Sequence, residues 1–151
     1  MTDSLQSVED ILRTEPEASV LTMGCSMQPM LRQHRDVVII EKITRPLKRN
    51  DVVLYRAYGL DKLILHRILK VKRDGSYVIR GDNTYFKECG ITDKNMVGIL
   101  KAFYRDGKYC DVNTSKKYKL YVFFMRITYV PRFLWKIKIR PFLSKIKHSL
   151  F

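Results

Sequence analysis

The sequence predicts a mainly β domain with a short N-terminal helix ahead of it and basic, aromatic helical segments behind it. Three observations predict this. Runs rich in Val, Ile, Leu and Tyr recur between turn residues from residue 18 onward. Two Asp-Gly pairs, Asp74-Gly75 and Asp106-Gly107, each separate two such runs, as in β-hairpins. Helical spacing of apolar residues is confined to the two ends of the chain.

Taken in order, Ser4 or Ser7 could cap a short helix over Val8, Ile11 and Leu12, ended by Pro16. Residues 18–23 read as a strand leading into Gly24-Cys25-Ser26-Met27-Gln28-Pro29-Met30-Leu31. Residues 37–40 and 51–55 are further strands, with Arg45-Pro46 marking their connection. Residues 63–71 form a longer run that turns at Asp74-Gly75 into a strand over 77–79. Residues 96–104 and 108–112 repeat that pattern about Asp106-Gly107. The organisation is thus a lead-in over 1–17, a β domain over 18–113 and a basic amphipathic tail over 114–151.

Composition narrows the classes. At 151 residues, 46% hydrophobic and 29% charged, the chain is globular and long enough for a real core. Its net charge of +14 points to an anionic partner or surface. Ten of the 29 Lys and Arg fall in residues 116–151, which contain no Asp or Glu; the rest has 19 basic against 15 acidic residues. The basic character therefore belongs to the tail, where Pro131 and Pro141 divide an aromatic-rich stretch into two or three short helices. Such helices fit peripheral contact with a membrane face through residues 118–151, packing on the β domain, or, less well, nucleic acid. Cys25, Cys89 and Cys110 have no paired spacing, so no zinc or other metal site is expected; free thiols fit a reducing compartment. Residues 1–16 are too polar for a signal peptide or a membrane anchor, which makes the cytoplasm or its membrane face the expected location.

Chemistry concentrates at three places. Gly24 permits unusual backbone geometry, and Pro29 pushes Gln28 toward extended geometry, so Ser26 sits on a bent, irregular segment. A hydroxyl there needs a base to become a nucleophile, and a neutral imidazole suits that role. His66 alone of the three histidines lies inside a strand, on the face shared by Ile64 and Ile68. His34 falls in an Arg-rich turn and His148 near the terminus. A base needs an acceptor to fix its tautomer. Gly81-Asp82-Asn83 offers one carboxylate and Glu88 a second.

Together these elements resemble the type I signal peptidase family of serine endopeptidases. Its nucleophile box, Ser-Met-x-Pro with an apolar residue soon after, is similar to Ser26-Met27-Gln28-Pro29-Met30-Leu31. Its Gly-Asp-x-Val strands resemble Arg35-Asp36-Val37-Val38 and Asn50-Asp51-Val52-Val53. His66-Arg67 is similar to the branch of the family, endoplasmic-reticulum and archaeal, that uses His-Arg in place of a lysine box. Gly81-Asp82-Asn83 with Glu88 resembles the last box, and the likeness spans roughly residues 18–105.

The resemblance implies a signal-peptidase/LexA-like β fold and cleavage of an extended peptide or preprotein, without a cofactor, by an acyl-enzyme mechanism. Ser26 would be the nucleophile, His66 the general base, and Asp82 (in preference to Glu88) the acid behind it. The Ser26 backbone N–H would hold the oxyanion, with Gly24 where some relatives offer a hydroxyl, and Met27 and Pro29 would flank the substrate. Three departures stand out. Arg35 and Asn50 replace the turn glycines, Glu replaces Asp as the second acid, and the family's N-terminal anchor has no counterpart. Arg tolerates left-handed geometry poorly, so the first turn must be rebuilt. Two rival readings are a self-cleaving repressor of the same fold, which would use a Ser–Lys dyad, and a non-catalytic membrane- or nucleic-acid-binding module.

Overall fold

Antiparallel pairing organises the chain. Among the residues that the computed structural model describes, 3–59 and 62–135, eight strands form one sheet. They are β1 (Glu17–Leu21), β2 (Val37–Glu41), β3 (Val52–Arg56), β4 (Leu63–Val71), β5 (Tyr77–Arg80), β6 (Glu88–Ile91), β7 (Met96–Arg105) and β8 (Lys108–Asp111). Their spatial order is β1-β2-β7-β3-β4-β5-β6, with β8 beside β7. Helix α1 (Asp3–Thr14) precedes the strands; α2 (Lys116–Ile127) and α3 (Tyr129–Leu134) follow them. The chain falls into two units, Met1–Lys116 and Lys117–Phe151, so α1 belongs with the strands.

The protein is mainly β, as its short β-branched runs predict. Val53, Ile68 and Ile79 are wholly buried and pack with Tyr55, Tyr77, Ile91 and Ile99 into the core. Truncating any of these aliphatics to Ala would cost about 2–5 kcal/mol. Two strands divide their length between neighbours. The first half of β7 pairs with β3, through Met96 to Ile99, and the second half with β2 and β8. In β4, Leu63 to Arg67 pairs with β3, whereas β5 begins pairing only at Arg67. The β5-side edge of Leu63 to His66 is therefore left outside the ladder, and so is the outer edge of β1.

Several elements differ from expectation for identifiable reasons. Ser4 and Ser7 lie within α1 rather than ahead of it; Val8 and Leu12, one turn apart, are both buried. β1 ends at Leu21: the Thr22 N–H still donates to the Asp36 carbonyl at 3.0 Å, but the Asp36 N–H donates to the Arg32 carbonyl of its own loop at 3.1 Å and the ladder stops. β6 is a strand the sequence did not announce. Its Glu-Cys-Gly-Ile stretch lacks an apolar run, and Gly90 has φ +79°, but pairing with β5 imposes the conformation. The first turn is indeed rebuilt: the left-handed residue is His34 (φ 57°), one before Arg35, while Asn50 takes φ 77° itself.

In the tail, the break between helices falls at Thr128. Pro131 does not divide the helices but sits in the first turn of α3, where a missing N–H costs nothing. The break expected at Pro141 lies outside the described residues. No helix among the described residues is long and apolar enough to cross a membrane. The three cysteines are unpaired, with Cys25 and Cys89 exposed.

Candidate active site

The Ser26 segment joins β1 to β2 and is fixed from several sides. Met27, Met30 and Leu31 are buried, which anchors it by its apolar side chains. The Leu31 N–H donates to the Met27 carbonyl at 3.0 Å, and the Gln28–Pro29 peptide is cis. Asp36, fully buried at the end of the loop, accepts from the Arg32 N–H (3.0 Å), the Arg32 guanidinium (3.1 and 3.0 Å) and the Arg105 guanidinium (3.2 and 3.0 Å). Burial pushes the Asp36 carboxyl up, but these hydrogen bonds outweigh it and hold the group below its ordinary value of 3.8. Arg105 also donates to the carbonyls of Pro29 and Met30.

The Gly81-Asp82-Asn83 turn closes on this segment. The Asn83 N–H donates to the Ser26 carbonyl at 2.7 Å, and Asn83 Nδ2 donates to the Cys25 carbonyl at 3.1 Å. Gly81 is the contact point. A Cβ there would stand 2.6 Å from the Ser26 carbonyl oxygen and 2.9 Å from His66 Nε2. Real Cβ atoms do not approach so closely, so only glycine lets the turn, the serine backbone and the imidazole meet.

His66 is 7% exposed, and its two ring nitrogens face different surroundings. Nδ1 lies 3.1 Å from Glu88 Oε1 and 3.1 Å from the Tyr55 hydroxyl, which itself donates to Glu88 Oε1 at 2.8 Å. A carboxylate only accepts, and the single Tyr55 proton is already given to it. The network therefore assigns a proton to Nδ1 and leaves Nε2, on the Gly81 and Ser26 side, as a lone pair. Burial lowers the His66 pKa from 6.5; the Glu88 charge and hydrogen bond, and then the Asp82 charge, oppose the shift without cancelling it. At neutral pH the ring is thus an uncharged base. Burial first, and the bond to Glu88 second, raise the Tyr55 pKa, so its phenol keeps its proton.

Asp82 is engaged elsewhere. Its two oxygens accept from Arg67 Nε at 2.8 Å and Nη2 at 2.7 Å, an almost wholly buried pair. The preference for Asp82 as the acid behind His66 is therefore corrected: the carboxylate at Nδ1 is Glu88. The reason is strand alternation. His66 and Arg67 point to opposite faces of β4, and each face receives its own carboxylate. Arg67 also donates to the Asn50 carbonyl (2.9 Å) and meets Met30 Sδ (3.1 Å), so this ion pair ties three loops together.

Ser26 and His66 share the wall of a cavity of about 540 Å³. Val20 and Leu21 of β1 border one side and Leu63 to Leu65 of β4 the other, so both unpaired strand edges reach it. Its floor includes Val38, Ile40 and Leu54, and Met27 and Gly24 also line it. Pro29, expected beside Met27, is exposed and is not part of the lining. The Ser26 hydroxyl has no hydrogen-bond partner among the described residues. A hydroxyl without a hydrogen-bond partner and a buried, uncharged imidazole on the wall of one apolar cleft between strand edges are the groups that acyl transfer to serine would require. Among the described residues no group of His, Cys, Asp and Glu could hold a metal ion. Compared with models of known protein families, the sequence matches none.

Sequence reasoning missed Tyr55 and the clamps on either side of the site. Tyr55 had a signal: it lies two residues beyond Val53, which pairs with His66, and so shares that face. The role of Arg67 had none, because its partners Met30, Asn50 and Asp82 are far apart in the chain.

Proposed function

We propose that this chain is a serine endopeptidase of the signal-peptidase type, with the His-dependent catalytic arrangement of that family. The observation that carries the reading is the pair of environments around His66: Glu88 at Nδ1, and the Ser26 backbone across Gly81 from Nε2. An extended peptide would lie in the cleft between β1 and the first half of β4, pairing with an unsatisfied strand edge and placing its apolar side chains on the floor. Ser26 Oγ attacks the scissile carbonyl carbon while its proton passes to His66 Nε2. The Ser26 N–H, beside the open turn at Gly24 (φ +81°), stabilises the oxyanion. The imidazolium, stabilised by Glu88, protonates the leaving amine as the C–N bond breaks. Water then gives a proton to Nε2, attacks the acyl ester, and returns Ser26 to its hydroxyl form.

The experiment is labelling of the full chain with a serine-reactive acylating probe. The wild type is expected to label on Ser26, Ser26→Ala to lose the label, and His66→Ala to slow it by roughly 10²–10⁴-fold. Labelling that survives Ser26→Ala would refute the nucleophile. A folded wild type that never labels and cuts no peptide would favour a binding module with the same cleft.

A further inference from the structure

Helix α2 carries two apolar faces, and only one of them is buried. Val122 and Met125 are shielded from solvent. Leu120, Phe123, Phe124 and Ile127 are each 53–58% exposed. Their spacing of i, i+3, i+4 and i+7 places them in one stripe. At 3.6 residues per turn, that stripe is centred opposite Val122 and Met125. Val130, Leu134 and Trp135 extend the exposed apolar surface through α3. Exposed cations border it, Lys117 on one flank and Lys119 and Arg126 on the other.

We propose that this stripe is a docking surface for an anionic lipid bilayer, with α2 lying in the plane of the interface. Three considerations select that occupant. The ten cations and the absence of any acid over residues 116–151 demand a negatively charged partner. A second copy of the chain brings the same positive charge to the contact and is repelled. A nucleic acid would satisfy the cations but leave Leu120, Ile127, Val130 and Leu134 in water, since aliphatic side chains do not stack on bases. A bilayer answers both demands at once. Acyl chains take the stripe, and the flanking Lys and Arg extend to the phosphate level. Trp135, at the C-terminal end of α3 and 55% exposed, is the kind of residue that settles at a headgroup boundary. This inference is independent of the chemistry at Ser26.

Trp135 is the single tryptophan of the chain, so it reports directly. Full-length protein would be titrated with phosphatidylcholine vesicles with and without phosphatidylglycerol, following Trp135 emission and co-sedimentation. The expected result is a blue shift and binding at least about tenfold tighter to the anionic vesicles, weakened by raising salt from about 0.1 to about 0.5 M. The double variant Phe123→Ser/Phe124→Ser, altered only at exposed positions, is expected to lose roughly tenfold or more in binding while melting at the wild-type temperature. Equal binding to neutral and anionic vesicles would overturn the proposal, as would full binding by the double variant. So would retention on duplex DNA or RNA without vesicle binding, or a dimer that only the double variant dissolves.

Discussion

Gly81→Ala is the sharpest test of the site. Gly81 is not among the residues with positive φ, so alanine meets no backbone penalty, and reduced chain entropy in the unfolded state should favour it. The whole effect then comes from contact. The added methyl would stand 2.6 Å from the Ser26 carbonyl and 2.9 Å from His66 Nε2, against an ordinary contact beginning near 3.4 Å. The serine backbone must retreat by roughly 0.8 Å and the imidazole by roughly 0.5 Å, an overpacking that costs about 1–3 kcal/mol. Neither can relax freely. The Ser26 carbonyl is held by Asn83 at 2.7 Å, and the ring by Glu88 and Tyr55 at 3.1 Å. Displacement approaching 1 Å between nucleophile and base should lower acylation roughly 10²-fold. The assay is the rate of probe labelling at Ser26 per folded molecule, alongside a urea unfolding curve. A variant as stable as the wild type and labelled at the same rate would refute the reasoning, because the methyl would then have found room.

Two further substitutions separate the carboxylates. Glu88→Gln removes the charge that holds the His66 pKa up against burial, so that pKa falls further. Since the neutral ring is the active form, the acid limb of the pH–rate profile should move to lower pH while the plateau rate drops roughly 10²-fold; an unmoved limb would exclude Glu88 as the orienting acid. Asp82→Asn leaves buried Arg67 facing a neutral amide and should cost about 3 kcal/mol in urea unfolding. The His66 titration should move less with it than with Glu88→Gln, and the opposite ranking would return the catalytic role to Asp82.

How much of this was legible in the sequence follows from the range of the forces involved. Strands over 37–40, 51–55, 63–71 and 96–104 were readable because apolar runs and Asp-Gly turns act within a few residues. So were the rebuilding of the Arg35 turn and the concentration of charge in the tail. The irregular segment at Ser26 and the inward position of His66 also follow from local rules, proline on one side and strand alternation on the other. β6 was not readable, since Glu-Cys-Gly-Ile becomes a strand only by pairing with β5.

The choice between Asp82 and Glu88 shows where local rules stop. Both acids follow His66 at short range, and nothing in their spacing ranks them. Register ranks them: Ile68 pairs with Ile79, and Ile79 with Glu88, which carries Glu88 across two strands to the face His66 occupies. Asp82, on the turn between those strands, meets Arg67 on the other face. The sequence by itself determined which residue types were present and which segments, β6 apart, would become strands, because propensity and alternation act along the chain. Only the tertiary structure decided which acid meets the imidazole and why Gly81 must be glycine. Those are contacts between segments that pairing and packing bring together.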